Sequence, residues 1–212
     1  GFAFDSHSSG TFTHNNGTVS IGNGVTAAET HIMENTFYNL IINSNADSKL
    51  VIFRPKSGST VTVANDLTLT RGVFYRNNVS DTLTVTGDVS IASGSTLGRT
   101  NDTGASNFGS LRVVSGGTYI ATSGTTTVSK ESDTGGTDFM FHNDGTFTHN
   151  DGKFVFDDAG LSSSSNVRCS SSFYDVELTM GSFSLTSHHN MNVARDFTVT
   201  TGTYSDGSNG FT

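Results

Sequence analysis

Two stretches of the chain, "VTVANDLTLTRGVF" from Val61 and "LTVTGDVSIASGST" from Leu83, superpose residue on residue at a shift of 83 − 61 = 22. Val61 falls on Leu83, Val63 on Val85, Asp66 on Asp88, Leu67 on Val89, Leu69 on Ile91 and Gly72 on Gly94. Within each stretch apolar residues alternate with Thr and Ser, the two-residue period of a strand that buries one face. No useful length shows a 3.6-residue period. Between the alternating runs stand Asn-Asp, Gly-Asp, Arg-Gly and Ser-Gly pairs, residues that accept positive φ or bond their own backbone in turns. A unit of about 22 residues built from short strands and turns is what one coil of a parallel β-helix needs. Coils stacked ~4.8 Å apart then hold equivalent apolar side chains above one another.

The same spacing reaches outwards. "LII" at Leu40 lies 61 − 40 = 21 before Val61, and "LRVV" at Leu111 lies 111 − 83 = 28 after Leu83, the excess being assigned to a polar insert, Arg99 to Phe108. Val61, Val63, Leu67, Leu69, Leu83, Val85, Val89 and Ile91 are the expected core ladder. The 212 residues are expected to form a single all-β domain, a β-solenoid of roughly nine coils about 40–45 Å long. The alternative is an antiparallel β-sandwich, since "THNNGT" and "THNDGK" each suit a hairpin turn with Gly at the left-handed position. A sandwich, however, has no reason to keep a constant spacing.

A longer repeat runs over about 10–98 and 145–212. "GTFTHNNGT" at Gly10 matches "GTFTHNDGK" at Gly145, "FYNLII" at Phe37 matches "FYDVEL" at Phe173, and "VTVANDLTLTRGVFY" at Val61 matches "MNVARDFTVTTGTYS" at Met191. The offsets are 145 − 10 = 135, 173 − 37 = 136 and 191 − 61 = 130. Taken as six coils, this offset places His14 and His149 ~29 Å apart.

Composition agrees with a coil that is apolar on one side only: 33% hydrophobic and 14% charged residues, with 24 Gly and 16 Phe. So many aromatics and so little charge exclude a disordered chain. The net charge is −8 and the 11 Lys and Arg are scattered, so no surface tracks phosphates and no nucleic acid is expected as partner. No apolar run nears the ~20 residues that span a bilayer, and no basic-then-apolar leader is present, so no membrane insertion is expected. The start at Gly1 and the end in a patterned region lead us to expect a processed product or a segment of something longer. Cys169, the single cysteine, permits no internal disulfide and lies in no zinc spacing, and is expected to be a buried thiol.

"TLTVTGDVSIASGSTL", Thr82 to Leu97, resembles the repetitive β-helical passengers of autotransporters and filamentous adhesins. "GTFTHNNGTVSI" with "FYNLIINS" is similar to repeats of large secreted bacterial surface proteins and of phage structural or fibre proteins. The resemblance implies an extracellular, cell-surface or virion setting and a structural, adhesive or host-facing role. It carries over no catalytic or binding residue and no cofactor.

The candidate sites are few. His142, Asp144, His149 and Asp151 flank one strand and turn and carry donors that zinc accepts, although their spacing fits no established motif, and turn chemistry explains them equally. His7 and His14 are the corresponding pair, and "HHN" at His188 reads as a solvated loop. Asp157 and Asp158 are oxygen donors suited to calcium. Glycoside hydrolysis needs two acids about 5–9.5 Å apart, one of them protonated; Asp157 with Asp158, and Asp175 with Glu177, are the pairs to inspect. Tyr38 and Tyr174 each follow an inward Phe, so they point outward and could stack on sugar rings. We expect no enzyme activity and no cofactor. The expected partners are other copies of the chain or neighbouring segments of an assembly, or surface glycans; a carbohydrate-binding or polysaccharide-degrading β-helix module is the alternative function.

Overall fold

A computed structural model describes residues 2–5, 12–22, 29–55, 59–132 and 139–207. Every regular element among them is a strand, and every strand pairing is parallel. The chain is a β-solenoid, and the antiparallel sandwich is excluded. His7 and Gly10 lie outside the described residues.

The coil has three faces, visited always in the same order. The first face stacks Thr18–Ile21, Asn39–Asn43, 67–69, 89–91, 111–113, 141–143, Ser165–Cys169, 184–187 and 203–206, nine segments deep. The second stacks Phe2–Asp5, Glu29–Met33, Leu50–Phe53, 73–76, Ser95–Leu97, Thr118–Ile120 and Thr146–Thr148. The third stacks Thr36–Phe37, Thr60–Val63, 82–85, 106–108, Thr125–Val128, Lys153–Asp157, 175–179 and 197–201. Above Phe147 the second face thins to one parallel bridge, Phe173 with Val193.

Alternation decides what fills the interior. Leu40, Leu67, Val89, Leu111, Phe141 and Val167 form one inward column, each at most 1% exposed, while Ile41, Thr68, Ser90 and Arg112 between them face outward. Fully burying such an aliphatic side chain stabilises by about 1.5–3 kcal/mol. All eight expected ladder residues are inside, and Val61 pairs with Leu83, Val63 with Val85, Leu67 with Val89 and Leu69 with Ile91.

Two outer steps of that ladder differ from expectation. Leu40 stacks on Leu67, 67 − 40 = 27, not on Val61, and Leu111 stacks on Val89, 111 − 89 = 22, not on Leu83. The supposed insert therefore contains a wall of the coil: Ser106 and Phe108 stand over Leu83 and Val85. The alternation is alike on all three faces, so sequence spacing alone assigned these residues to the wrong one.

The long repeat is not a whole number of coils. Climbing the third face from Phe37 passes Val63, Val85, Phe108, Val128 and Phe156 and arrives at Leu178. Its sequence counterpart Phe173 comes one face earlier, on the second. The repeat unit is thus six coils less one face. Likewise Val19 and Ile21 are on the first face while their counterparts Phe154 and Phe156 are on the third. The second copy is turned by a third of a revolution against the first.

Candidate functional site

The doubled "THN" motif folds identically in both places. Gly17 N–H donates to the His14 carbonyl at 2.7 Å, and Gly152 N–H to the His149 carbonyl at 3.1 Å. The two central residues of each turn have positive φ, 46° and 56° at Asn15 and Asn16, 50° and 56° at Asn150 and Asp151. That is the type I′ pattern, usual in hairpins, here joining two faces of a coil. Asn tolerates it because its short polar side chain bonds locally. The imidazole closes the turn: His14 Nδ1 accepts from Asn16 N–H at 3.2 Å and His149 Nδ1 from Asp151 N–H at 2.9 Å.

Each tyrosine lies over its histidine. The ring centroids of His14 and Tyr38 are 5.7 Å apart, and those of His149 and Tyr174 5.5 Å. Tyr174 is also covered by the Arg195 guanidinium, 4.7 Å from its centroid. Arg195 in turn donates from Nε to Asp175 at 2.7 Å and makes a second contact through its terminal nitrogen. In the first copy Asn65 stands at the place of Arg195, and its N–H donates to the Tyr38 carbonyl at 2.9 Å. Both tyrosines are half-buried parts of an axial stack, with Phe37 and Phe173 inside beside them.

The four candidate metal ligands split into two local pairs. His142 Nε2 is 2.9 Å from Asp144, which also faces Arg168 at 3.4 Å. His149 Nδ1 is 3.4 Å from Asp151, and its lone pair is already taken by the turn amide. Among the described residues no three His, Cys, Asp or Glu side chains converge as a metal requires. His142 is sandwiched between Arg112 and Arg168 in an outward column. Burial first, then the two guanidinium charges, hold its imidazole below the ordinary histidine value against the pull of Asp144.

The acids are engaged as well. Asp175 is buried and held by Arg195. Glu177 accepts from Lys153 at 3.0 Å and from Thr200 at 3.0 Å, and these bonds hold its carboxyl below the ordinary range. Such a group has no proton to give near neutrality, which a general acid must have. Asp157 accepts from Thr179 and from the Ala159 amide, both at 2.9 Å. Cys169 is buried beneath Asn143, and burial pushes its thiol up to about 11.

Sequence reasoning missed the most buried charge among the described residues. Asp102, 0% exposed, sits in the loop between the second and third faces, 3.4 Å from buried Arg76 and 2.9 Å from Arg99. Arg76 also donates to the carbonyls of Asp81, Gly104 and Ala105 and to the Ser106 hydroxyl, so the desolvated guanidinium is satisfied. A cavity lined by Phe53, Phe74, Arg76, Asp102 and Tyr119 adjoins it. A signal was present for Arg76 alone: it follows Phe74 at the two-residue period and so shares its inward parity.

Set against known proteins, the chain matches no family model, no curated protein and no solved structure.

Proposed function

We propose that this chain is a non-enzymatic structural and adhesive segment, a rod within an extracellular, cell-surface or virion assembly. One observation carries the reading: the acids, histidines and tyrosines that could do chemistry are bound to neighbours one coil away or within their own turn. Glu177 answers Lys153, Asp175 answers Arg195, and His14 and His149 close turns. The resemblance of the repeats to surface and fibre proteins, the uncharged Thr and Ser on the outer columns and the single cysteine all support the setting. Its partners in this reading are copies of itself or adjoining segments, and surface glycans for the adhesive role.

The test is a panel of polysaccharides scored both for reducing-end release and for retention of the chain. No release from any substrate is expected. Release that disappears in Glu177→Gln or Asp175→Asn would replace this reading with that of a polysaccharide-degrading module.

A further inference from the structure

The lysines and arginines are scattered along the sequence, and the fold answers most of those described. Arg71 meets Asp47, Arg76 and Arg99 meet Asp102, Arg195 meets Asp175, Lys153 meets Glu177, and Arg54 donates to Asn77. The exception is on the outside of the first face. Arg112 and Arg168, 168 − 112 = 56 residues apart in sequence, stand two coils apart in one outward column with His142 between them. Among the described residues Arg112 pairs with no carboxylate, and Asp144 is the one acid beside the column, 3.4 Å from Arg168 and 2.9 Å from His142. Neither Arg112 Nε nor Arg168 Nε has a hydrogen-bond partner although both are shielded from water, so the approach of Arg168 to Asp144 is a contact of charge only. Shielded donors left idle are rare and call for an acceptor. The Arg168 side chain is 43% exposed, which leaves its guanidinium open to a ligand.

We infer that this column binds a linear acidic polysaccharide laid along the rod, with one carboxylate at Arg112 and the next at Arg168. The inference rests on the adhesive reading and supplies its ligand. A guanidinium grips a carboxylate through two parallel N–H donors. Two coils hold the guanidiniums ~9.6 Å apart, close to one disaccharide of an extended chain, so a polymer with an acid on every second sugar keeps step with the column. Ser90 and Thr68 continue the column below Arg112 and offer hydroxyls to the uncharged sugars. A nucleic-acid strand, with a phosphate every ~3.4 Å, brings more negative charge than two arginines answer, against a chain of net charge −8. A peptide finds no free edge to join as an added strand, because 111–113, 141–143 and Ser165–Cys169 are each paired on both sides. Asp144 opposes the ligand at the level of Arg168 and holds the affinity down.

The test is surface plasmon resonance of the full chain over hyaluronan, which carries a carboxylate on every second sugar. Binding is expected, weakened about tenfold by Arg112→Gln and by Arg168→Gln and strengthened by Asp144→Asn. Arg71→Gln, which removes the same charge elsewhere, is expected to change nothing, and carboxyl-reduced hyaluronan not to bind. Circular dichroism checks that each variant is folded. One readout needs no variant: the tetrasaccharide, with two carboxylates, competes with the polymer, and the disaccharide, with one, does not. No binding to hyaluronan overturns the inference. So does an equal loss in Arg71→Gln, or single-stranded DNA or polyglutamate held as tightly through the same two arginines. Retention of a different polysaccharide, independent of Arg112 and Arg168, would sink this ligand and leave the adhesive reading standing; release of reducing ends would end the non-enzymatic reading whatever the column binds.

Discussion

The first and second copies of the long repeat have nearly the same words and different neighbours. The turn at His14 and the turn at His149 share their φ angles, their Gly-to-His bond and their imidazole closure. Yet Leu67 and Leu69 are buried where Phe197 and Val199 are exposed. What is local in the chain is reproduced wherever the words recur, and what depends on stacking is set by level in the rod. The fold is quasi-one-dimensional, and each coil is stabilised by those directly above and below it.

The largest expected break in the comparison comes from a charge on matched inward positions. Leu69→Asp should cost several kcal/mol, about 3–5, because the carboxylate has no partner in the interior. Val199→Asp should cost under about 1 kcal/mol in the monomer, its site being half open. Urea denaturation of the two variants measures the difference, and equal midpoints would mean that level does not matter. Next in size are the turn glycines. A Cβ on Gly152 would run into the Thr122 carbonyl of the coil below, whereas on Gly17 it meets only its own turn's His14 carbonyl at 3.0 Å. Gly152→Ala should therefore lose about 1–3 kcal/mol and Gly17→Ala a fraction of that, an order that thermal melts can reverse or confirm.

Smaller still, and equal in the two copies, is the effect of the imidazoles. His14→Ala and His149→Ala each remove one acceptor from an exposed turn amide and should cost about 0.5–1.5 kcal/mol. Unequal values in denaturant titrations would show that stacking on Tyr38 and Tyr174 matters more than the turn bond. The slightest effect is one of pH. With its folded value depressed, His142 is protonated first in the unfolded chain, so its contribution is complete above about pH 6.5 and is lost as the pH falls from there. His31, also depressed by burial first and by Arg54, acts in the same direction. Denaturation midpoints taken between pH 7.5 and 5 should decline, and His142→Gln should flatten the slope.

The reach of the sequence can be judged residue by residue. From Val61 to Ile91 the alternation and the shift of 22 gave the right partners on the first and third faces, whereas on the second the shift is 95 − 72 = 23, so that Gly72 lies on Ser95 and not on Gly94 as expected. The misassigned steps, Leu40 onto Val61 and Leu83 onto Leu111, arise because a three-faced coil presents three equivalent alternating runs. A shift that matches hydrophobicity then matches three faces equally well. The turn reading of the histidine motif was legible from Asn and Gly alone; the closing bond from imidazole to amide needed coordinates. Asp102 was not legible, because "RTNDTG" has the composition of a solvated loop and only the fold brings it under Arg76. Asp102→Ala would leave that guanidinium buried without its countercharge, a change of about 3–5 kcal/mol that calorimetry would register.

The third-of-a-revolution offset between copies has a geometrical result. If the same unit were added again and again, each new histidine turn would project a third of the way round from the last, and the direction would recur after three units, 3 × 6 − 1 = 17 coils. Ornaments on such a shaft climb like the treads of a spiral staircase, so that any encircling surface is met from every side by the same small protrusion.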